Sequence, residues 1–189
     1  MESIASIVKE YLDYHKITQD FKKNLQDSKL YEQHKKSSKN SWLRPILILV
    51  EYSMSDDPRP KRIQMNDFHV EHILPQQPGS SSQWVKDFSE EERELYTHSL
   101  ANLTLLGGKK NTKALSQVLN QDFKEKKEIY MGNAVKLGKD KRGREKTFKV
   151  MTCYKMTIDI ATNYTEWTPT SLEKRKEELI KRIESVLKL

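Results

Sequence analysis

A single cysteine, Cys153, stands in a chain of 189 residues, so neither an internal disulfide nor a cysteine-built zinc cluster can hold this protein together. Beside Met151, Tyr154 and Met156, it reads as a buried, inert thiol on the apolar side of a helix. Long apolar runs are missing too. The longest, Ile46 to Val50, falls far short of the roughly 20 residues that a membrane-spanning helix needs, so a soluble protein without membrane association is expected. Met1 to Lys16 lacks the basic start, apolar stretch and small-residue cleavage site of a secretory signal, which points to the cytoplasm. No internal repeat and no long low-complexity linker interrupts the chain.

What is present is basic. The 34 Lys and Arg against 27 Asp and Glu leave a formal charge of +7, which favours a polyanionic partner; the interspersed signs keep that preference modest. The length suits one good hydrophobic core, or a core with a helical appendage. Residues 55–60, Ser-Asp-Asp-Pro-Arg-Pro, are rich in turn formers and divide the chain. An N-terminal helical segment, 1–60, is expected to pack on a unit spanning 61–189.

In the first segment, Ile4, Ile7, Val8, Tyr11, Leu12 and Tyr14 recur near helical spacing, as do Phe21, Leu25 and Leu30 more weakly. Trp42 to Met54 reads as an apolar core helix with Pro45 in its first turn. Phe68 to Leu74 is β-compatible and closed by Pro75, hence a strand leading into an exposed loop over 76–83. Ser89-Glu90-Glu91-Glu92 opens a helix to about residue 96 or 98. Leu103 to Leu106 forms another strand, turned by Gly107-Gly108. Helical spacing resumes over 112–119, then from Gln121 or Asp122 to Leu137. The charged stretch 138–146 is expected to be a loop, followed by helices over about 148–160 and from Thr168 to the C-terminus. The fold class is therefore α+β, mostly α-helical, with one small hairpin inserted.

Phosphodiester hydrolysis needs an activated water and charge stabilisation at the phosphorus and at the departing oxygen. His72 can serve as a base, because imidazole titrates near pH 6.5 and is largely neutral at pH 7. Glu71 and Asn111 offer hard oxygen donors suited to one Mg²⁺ or Mn²⁺ ion, with Zn²⁺ less suited. Adjacent residues in a regular strand point to opposite faces, so the strand has to end or twist at Glu71-His72 if both are to address one phosphate.

The segments FHVEHILPQ (68–76), HSLANLTLL (98–106) and KKNTKALS (109–116), in this order and spacing, resemble the HNH, or ββα-metal, nuclease motif. In particular they resemble the C-terminal nuclease domain of GmrSD-type restriction proteins, which act on invading and often modified DNA. FKEKKEIY (123–130) and residues 165–179 extend the similarity, so that it covers roughly Met65 to Ile183. The resemblance implies that the hairpin belongs to a ββα-metal core. It also implies that His72 is the general base, that Glu71 and Asn111 hold the metal, and that Asn102 braces the loop carrying the base. Asn111 stands where many HNH variants have histidine, which favours magnesium or manganese. Hydrolysis leaving a 5′-phosphate is implied, as is a preceding nucleotide-hydrolysing domain or partner subunit; no Gly-rich phosphate loop occurs in this chain.

Lys109, Lys110, Lys113, Lys126 and Lys127 are candidates for contact with the DNA backbone, and a solvated face is the competing reading for each. His69 is read as structural or solvent-facing, and His98 as a group that orients the site or touches phosphate. Trp42, Trp84 and Trp167 are packing residues. HVEH lacks the helical spacing of zinc peptidases. The expected activity is hydrolysis of double-stranded DNA, modified or phage DNA included; the alternative is a DNA-binding HNH scaffold that cuts only when a partner domain licenses it.

Overall fold

The computed structural model describes residues 3–37, 39–57, 59–108, 120–150 and 152–189. Asn111, Lys109, Lys110, Lys113 and the helix expected over 112–119 lie outside the described residues. The architecture is α+β and mainly helical, with two small antiparallel hairpins.

The chain opens with α1 (Ile4–Tyr14), α2 (Ile17–Leu25), α3 (Leu30–Ser37) and α4 (Leu43–Ser53). The apolar stripe of α1 stays in solvent: Ile4, Ile7, Val8 and Tyr11 are all exposed. In α4 the continuous run from Ile46 to Val50 buries Ile46, Leu47, Ile48 and Val50, and Pro45 sits in the first turn, where its missing N–H breaks no intrahelical bond.

Strand β1 (Phe68–His72) pairs with β2 (Leu103–Gly107) from Phe68↔Gly107 to His72↔Leu103. The chain between them forms α5 (Gln83–Asp87), α6 (Glu90–Tyr96) and a 3₁₀ turn, Leu100–Asn102. Helix α6 starts with a reciprocal cap: the Glu92 N–H donates to Ser89 Oγ at 3.2 Å, and the Ser89 N–H donates to Glu92 Oε2 at 2.8 Å.

Strand alternation then gives the hairpin two buried faces. Phe68, Leu103 and Leu105 join a core with Leu30, Tyr31, Leu43 and Leu47 of the N-terminal helices. Ile73 and Leu106 join a second core with Trp84, Phe123, Tyr130 and Trp167. Trp84 and Trp167 are fully buried and Trp42 packs edge-on to Phe21 at 4.8 Å, so the tryptophans do act in packing.

Beyond β2 come α7 (Phe123–Tyr130), β3 (Val135–Lys139), β4 (Glu145–Phe148), α8 (Lys155–Asn163) and α9 (Pro169–Leu187). The sequence reading needs correction here. The helix expected to reach Leu137 stops at Tyr130, because Gly132 takes a left-handed φ of 78° just past the helix end. Val135, Leu137 and Phe148 then pack on the second core from a hairpin; of the stretch 138–146 expected to be a loop, Gly138–Lys139 and Glu145–Lys146 are strand and only 140–144 is the turn. Gly138 supplies positive φ at the register shift of β3 and Gly143 in the turn, where Asp140 pairs with Arg144 at 2.9 Å. The next helix begins at Lys155 rather than Phe148, which leaves Cys153 exposed rather than buried.

Long-range capping ties the halves together. Glu51 of α4 accepts the Lys155 and Met156 N–H groups at 2.8 and 2.9 Å, placing a carboxylate at the positive end of α8. Buried Arg175 of α9 donates to the carbonyls of Ala101 and Leu103. Among the described residues, no helix is long and apolar enough to cross a membrane.

Candidate active site

Strand β1 ends at His72, yet Glu71 and His72 both remain in register with β2, opposite Thr104 and Leu103. Their side chains therefore leave on opposite faces, and the twist that would turn both toward one phosphate is absent from this pair. Each reaches a different environment.

On the second-core side, the Glu71 carboxylate is 3% exposed. Its Oε1 accepts from Lys126 Nζ at 2.7 Å and from the Tyr130 hydroxyl at 3.4 Å. The same ammonium donates to the His72 carbonyl at 2.7 Å, so Lys126 bridges side chain and backbone at the strand end. Burial pushes the Glu71 carboxyl up and the Lys126 amine down, each opposed by the charge of the other. Lys126 is 1% exposed, which corrects its assignment as a DNA-backbone contact. Lys127 is half-buried and donates to the Tyr164 carbonyl at 2.7 Å.

On the other face, His72 is 5% exposed and lies edge-on to Tyr31 of α3, ring centroids 4.4 Å apart, with His98 at 5.5 Å. Its Nδ1 is 3.1 Å from Nε2 of Gln76, an amide nitrogen that donates, so that in this placement Nδ1 accepts and Nε2 carries the ring hydrogen. Its Nε2 has no hydrogen-bond partner among the described residues, and neither does Nδ1 of His98. Burial, followed by the positive charges of His98, Lys126 and Lys35, lowers the His72 pKa to about 3, so the ring is neutral at pH 7. For Nε2 to accept a proton, Nδ1 must carry the hydrogen, and Gln76 must then present its carbonyl oxygen to it.

Asn102 fixes the loop that follows. It is fully buried, its Oδ1 accepts from the Leu74 N–H at 2.7 Å and from Trp167 Nε1 at 3.3 Å, and its Nδ2 donates to the carbonyls of Leu74 and Thr97 at 2.9 Å. The amide is thus satisfied on both ends, and the backbone just past His72 is held from both of its polar groups. His69, on the Glu71 face, is buried, which fits a structural place for it.

A divalent ion would need oxygen donors converging on one point. The described residues contain no group of three or more His, Cys, Asp or Glu side chains so arranged. Glu71 is chemically suited, but its Oε1 is occupied by an ammonium and its face is not that of His72. The described residues alone therefore do not fit the ion.

Gln76, Tyr31 and the buried role of Lys126 escaped the sequence reading. A signal existed for Lys126: Phe123, Lys126 and Tyr130 lie on one helix face, and a lysine on an apolar stripe announces a buried charge in search of a partner. Nothing in the spacing announces Tyr31, which is 41 residues from His72.

Comparison with protein families gives a match over residues 16–182 to the family described as GmrSD restriction endonucleases, C-terminal domain. No curated protein and no solved structure gave a match. The family match spans most of the chain, takes in both faces of the β1–β2 hairpin, and carries with it a nuclease role; this protein belongs to the family of GmrSD restriction endonuclease C-terminal domains.

Proposed function

We propose that this domain hydrolyses phosphodiester bonds of double-stranded DNA by HNH-type chemistry, with His72 as the general base, in restriction of modified or phage DNA. The observation that carries the reading is the geometry at the His72 imidazole: Nδ1 lies 3.1 Å from the Gln76 carboxamide, and Nε2 is buried without a partner among the described residues. Once the Gln76 carboxamide turns its oxygen to an Nδ1–H, the lone pair of Nε2 is free to take the proton of a water attacking phosphorus. Asn102 keeps the loop behind that ring from relaxing. A preceding nucleotide-hydrolysing domain or partner subunit, and a cytoplasmic setting, belong to the same reading.

Glu71 and Asn111 are the proposed donors to one Mg²⁺ or Mn²⁺ ion, Zn²⁺ fitting an all-oxygen pair less well; Lys126 would have to yield Glu71 for that. Such an ion, when bound, stabilises charge on the phosphorane and on the leaving oxygen. Lys109, Lys110 and Lys113, beside Asn111 in sequence, remain proposed backbone contacts, with Lys127 only after it gives up Tyr164. The enclosure of His72 favours the second reading as well, a DNA-binding HNH scaffold whose cutting waits for a partner domain.

The test is cleavage of supercoiled plasmid, unmodified and base-modified, by wild type and by a folded His72→Ala variant, with Mg²⁺, Mn²⁺ or EDTA. Nicking that needs metal and vanishes in the variant is expected. Undiminished nicking by the variant would remove His72 from the mechanism, and no cleavage by folded wild type on any substrate would favour the licensed scaffold.

A further inference from the structure

Helix α3 stands between His72 and solvent. Tyr31 is 8% exposed, its ring meets the His72 imidazole edge-on at 4.4 Å and lies parallel to His98 at 6.1 Å, and its N–H donates to the His98 carbonyl at 3.0 Å. Behind that ring are two imidazole nitrogens, Nε2 of His72 and Nδ1 of His98, that are buried and have no partner among the described residues. A buried polar atom left unsatisfied costs free energy that an ordinary packed core avoids. Two around one aromatic ring mark a place where another polar group belongs. A phosphodiester with its attacking water would satisfy both: a phosphate oxygen accepts from an Nδ1–H of His98, and the water donates to Nε2 of His72.

The segment that carries Tyr31 is short, and the ring rather than the helix is the part that can swing aside. Helix α3 has eight residues and lies between turns, and the turn after it passes through Asn40, a non-glycine residue held at a left-handed φ of 62°. Its inner end is anchored by Leu30 and Tyr31 in the core, by Asn40 Nδ2 to the Leu30 carbonyl at 3.5 Å and by the Tyr31–His98 backbone bond, and its outer side by Gln33 Nε2 to Asp27 at 2.7 Å and His34 Nδ1 to the Asn40 carbonyl at 3.1 Å. Its outer turn carries His34, Lys35 and Lys36, so a polyanion reaching the site meets the helix that closes it.

We propose that Tyr31 is a gate over His72: α3 holds the imidazole shut in the free protein, and a phosphodiester reaches His72 and His98 by displacing the Tyr31 ring. This rests on the reading of His72 as the base, but the closure itself can be measured without any cleavage.

Diethyl pyrocarbonate adds to accessible neutral imidazoles, and peptide mass spectrometry resolves the site. His15 is exposed, whereas His69 is buried on the opposite face of β1, out of reach of any movement of α3. In the wild-type chain the expected order of labelling is His15, then His72, then His69, with steps of about tenfold, because local opening at one ring costs less than global unfolding. His72 labelling as fast as His15, or only as slowly as His69, overturns the gate. Tyr31→Val should speed His72 about tenfold and leave His69 protected, while Tyr31→Phe should keep His72 closed. A folded Tyr31→Val with unchanged His72 labelling also overturns it. If Tyr31→Val labels faster but neither it nor wild type cleaves DNA, the gate stands and the functional reading passes to the licensed scaffold.

Discussion

Glu71 and Lys126 stand 55 positions apart in the sequence and meet at 2.7 Å in the interior, both almost wholly withdrawn from water. Two buried charges cost a large desolvation penalty that their mutual attraction offsets only while both are present. Lys126→Met is therefore expected to lower unfolding free energy by about 3–5 kcal/mol, the range for orphaning a buried charge. Glu71→Gln with Lys126→Met should recover a large part of that loss. Urea denaturation of the two single variants and the double variant measures it; equal losses in Lys126→Met and in the double variant would show that the ion pair is not what the lysine contributes.

The His72 ring makes stability depend on pH. Its folded-state pKa, about 3, lies below the ordinary 6.5, so the neutral ring's contribution is complete above pH 6.5 and is lost as pH falls from there toward 3. Between pH 7 and pH 4 the loss from this group amounts to about 3 kcal/mol, taking about 1.4 kcal/mol for each unit of displacement. Urea midpoints of wild type and His72→Gln across that interval isolate it from the carboxylates. Parallel curves would mean that the ring protonates as easily in the folded chain as in the unfolded one.

Asn102→Ala removes an amide that serves four partners and leaves the N–H and carbonyl of Leu74 buried and unanswered. A loss of about 3 kcal/mol or more is expected, since each unsatisfied buried group costs about 1–3 kcal/mol. Thermal unfolding gives the number. A shift no larger than that of a typical surface substitution would deny the loop its brace.

Gly107 closes β2 against the chain at Thr152. A Cβ there would fall 2.4 Å from the Thr152 carbonyl oxygen and 2.9 Å from its Cβ. Gly107→Ala should destabilise by about 1–3 kcal/mol through this overpacking, read from the melting temperature. No change would show that the segment around Thr152 shifts without cost.

Much of this fold was legible because its signals are local. The Ser89–Glu92 cap, the apolar run of α4 and the two strands around Asn102 each declare themselves within a few residues. The second hairpin was hidden by its neighbour: the helical spacing of 123–130 runs smoothly into Val135 and Leu137, and only Gly132 marks the boundary. At the site, a brace by Asn102 on the loop after His72 is implied by the family resemblance, whereas Tyr31 over His72 and Lys126 under Glu71 depend on how helices fold across the hairpin. Local patterning cannot report such contacts.

The Arg175 guanidinium draws a consequence from its two bonds to the carbonyls of Ala101 and Leu103. Those bonds span 74 and 72 residues, and the caps from Glu51 to Lys155 and Met156 span 104 and 105. Closing such long loops before their contacts reward it slows a chain's search for its native state. The hairpin that carries His72 thus reaches its final form only after α9, which follows it in the chain, has been made and docked, so the candidate site cannot be completed by its own motif alone.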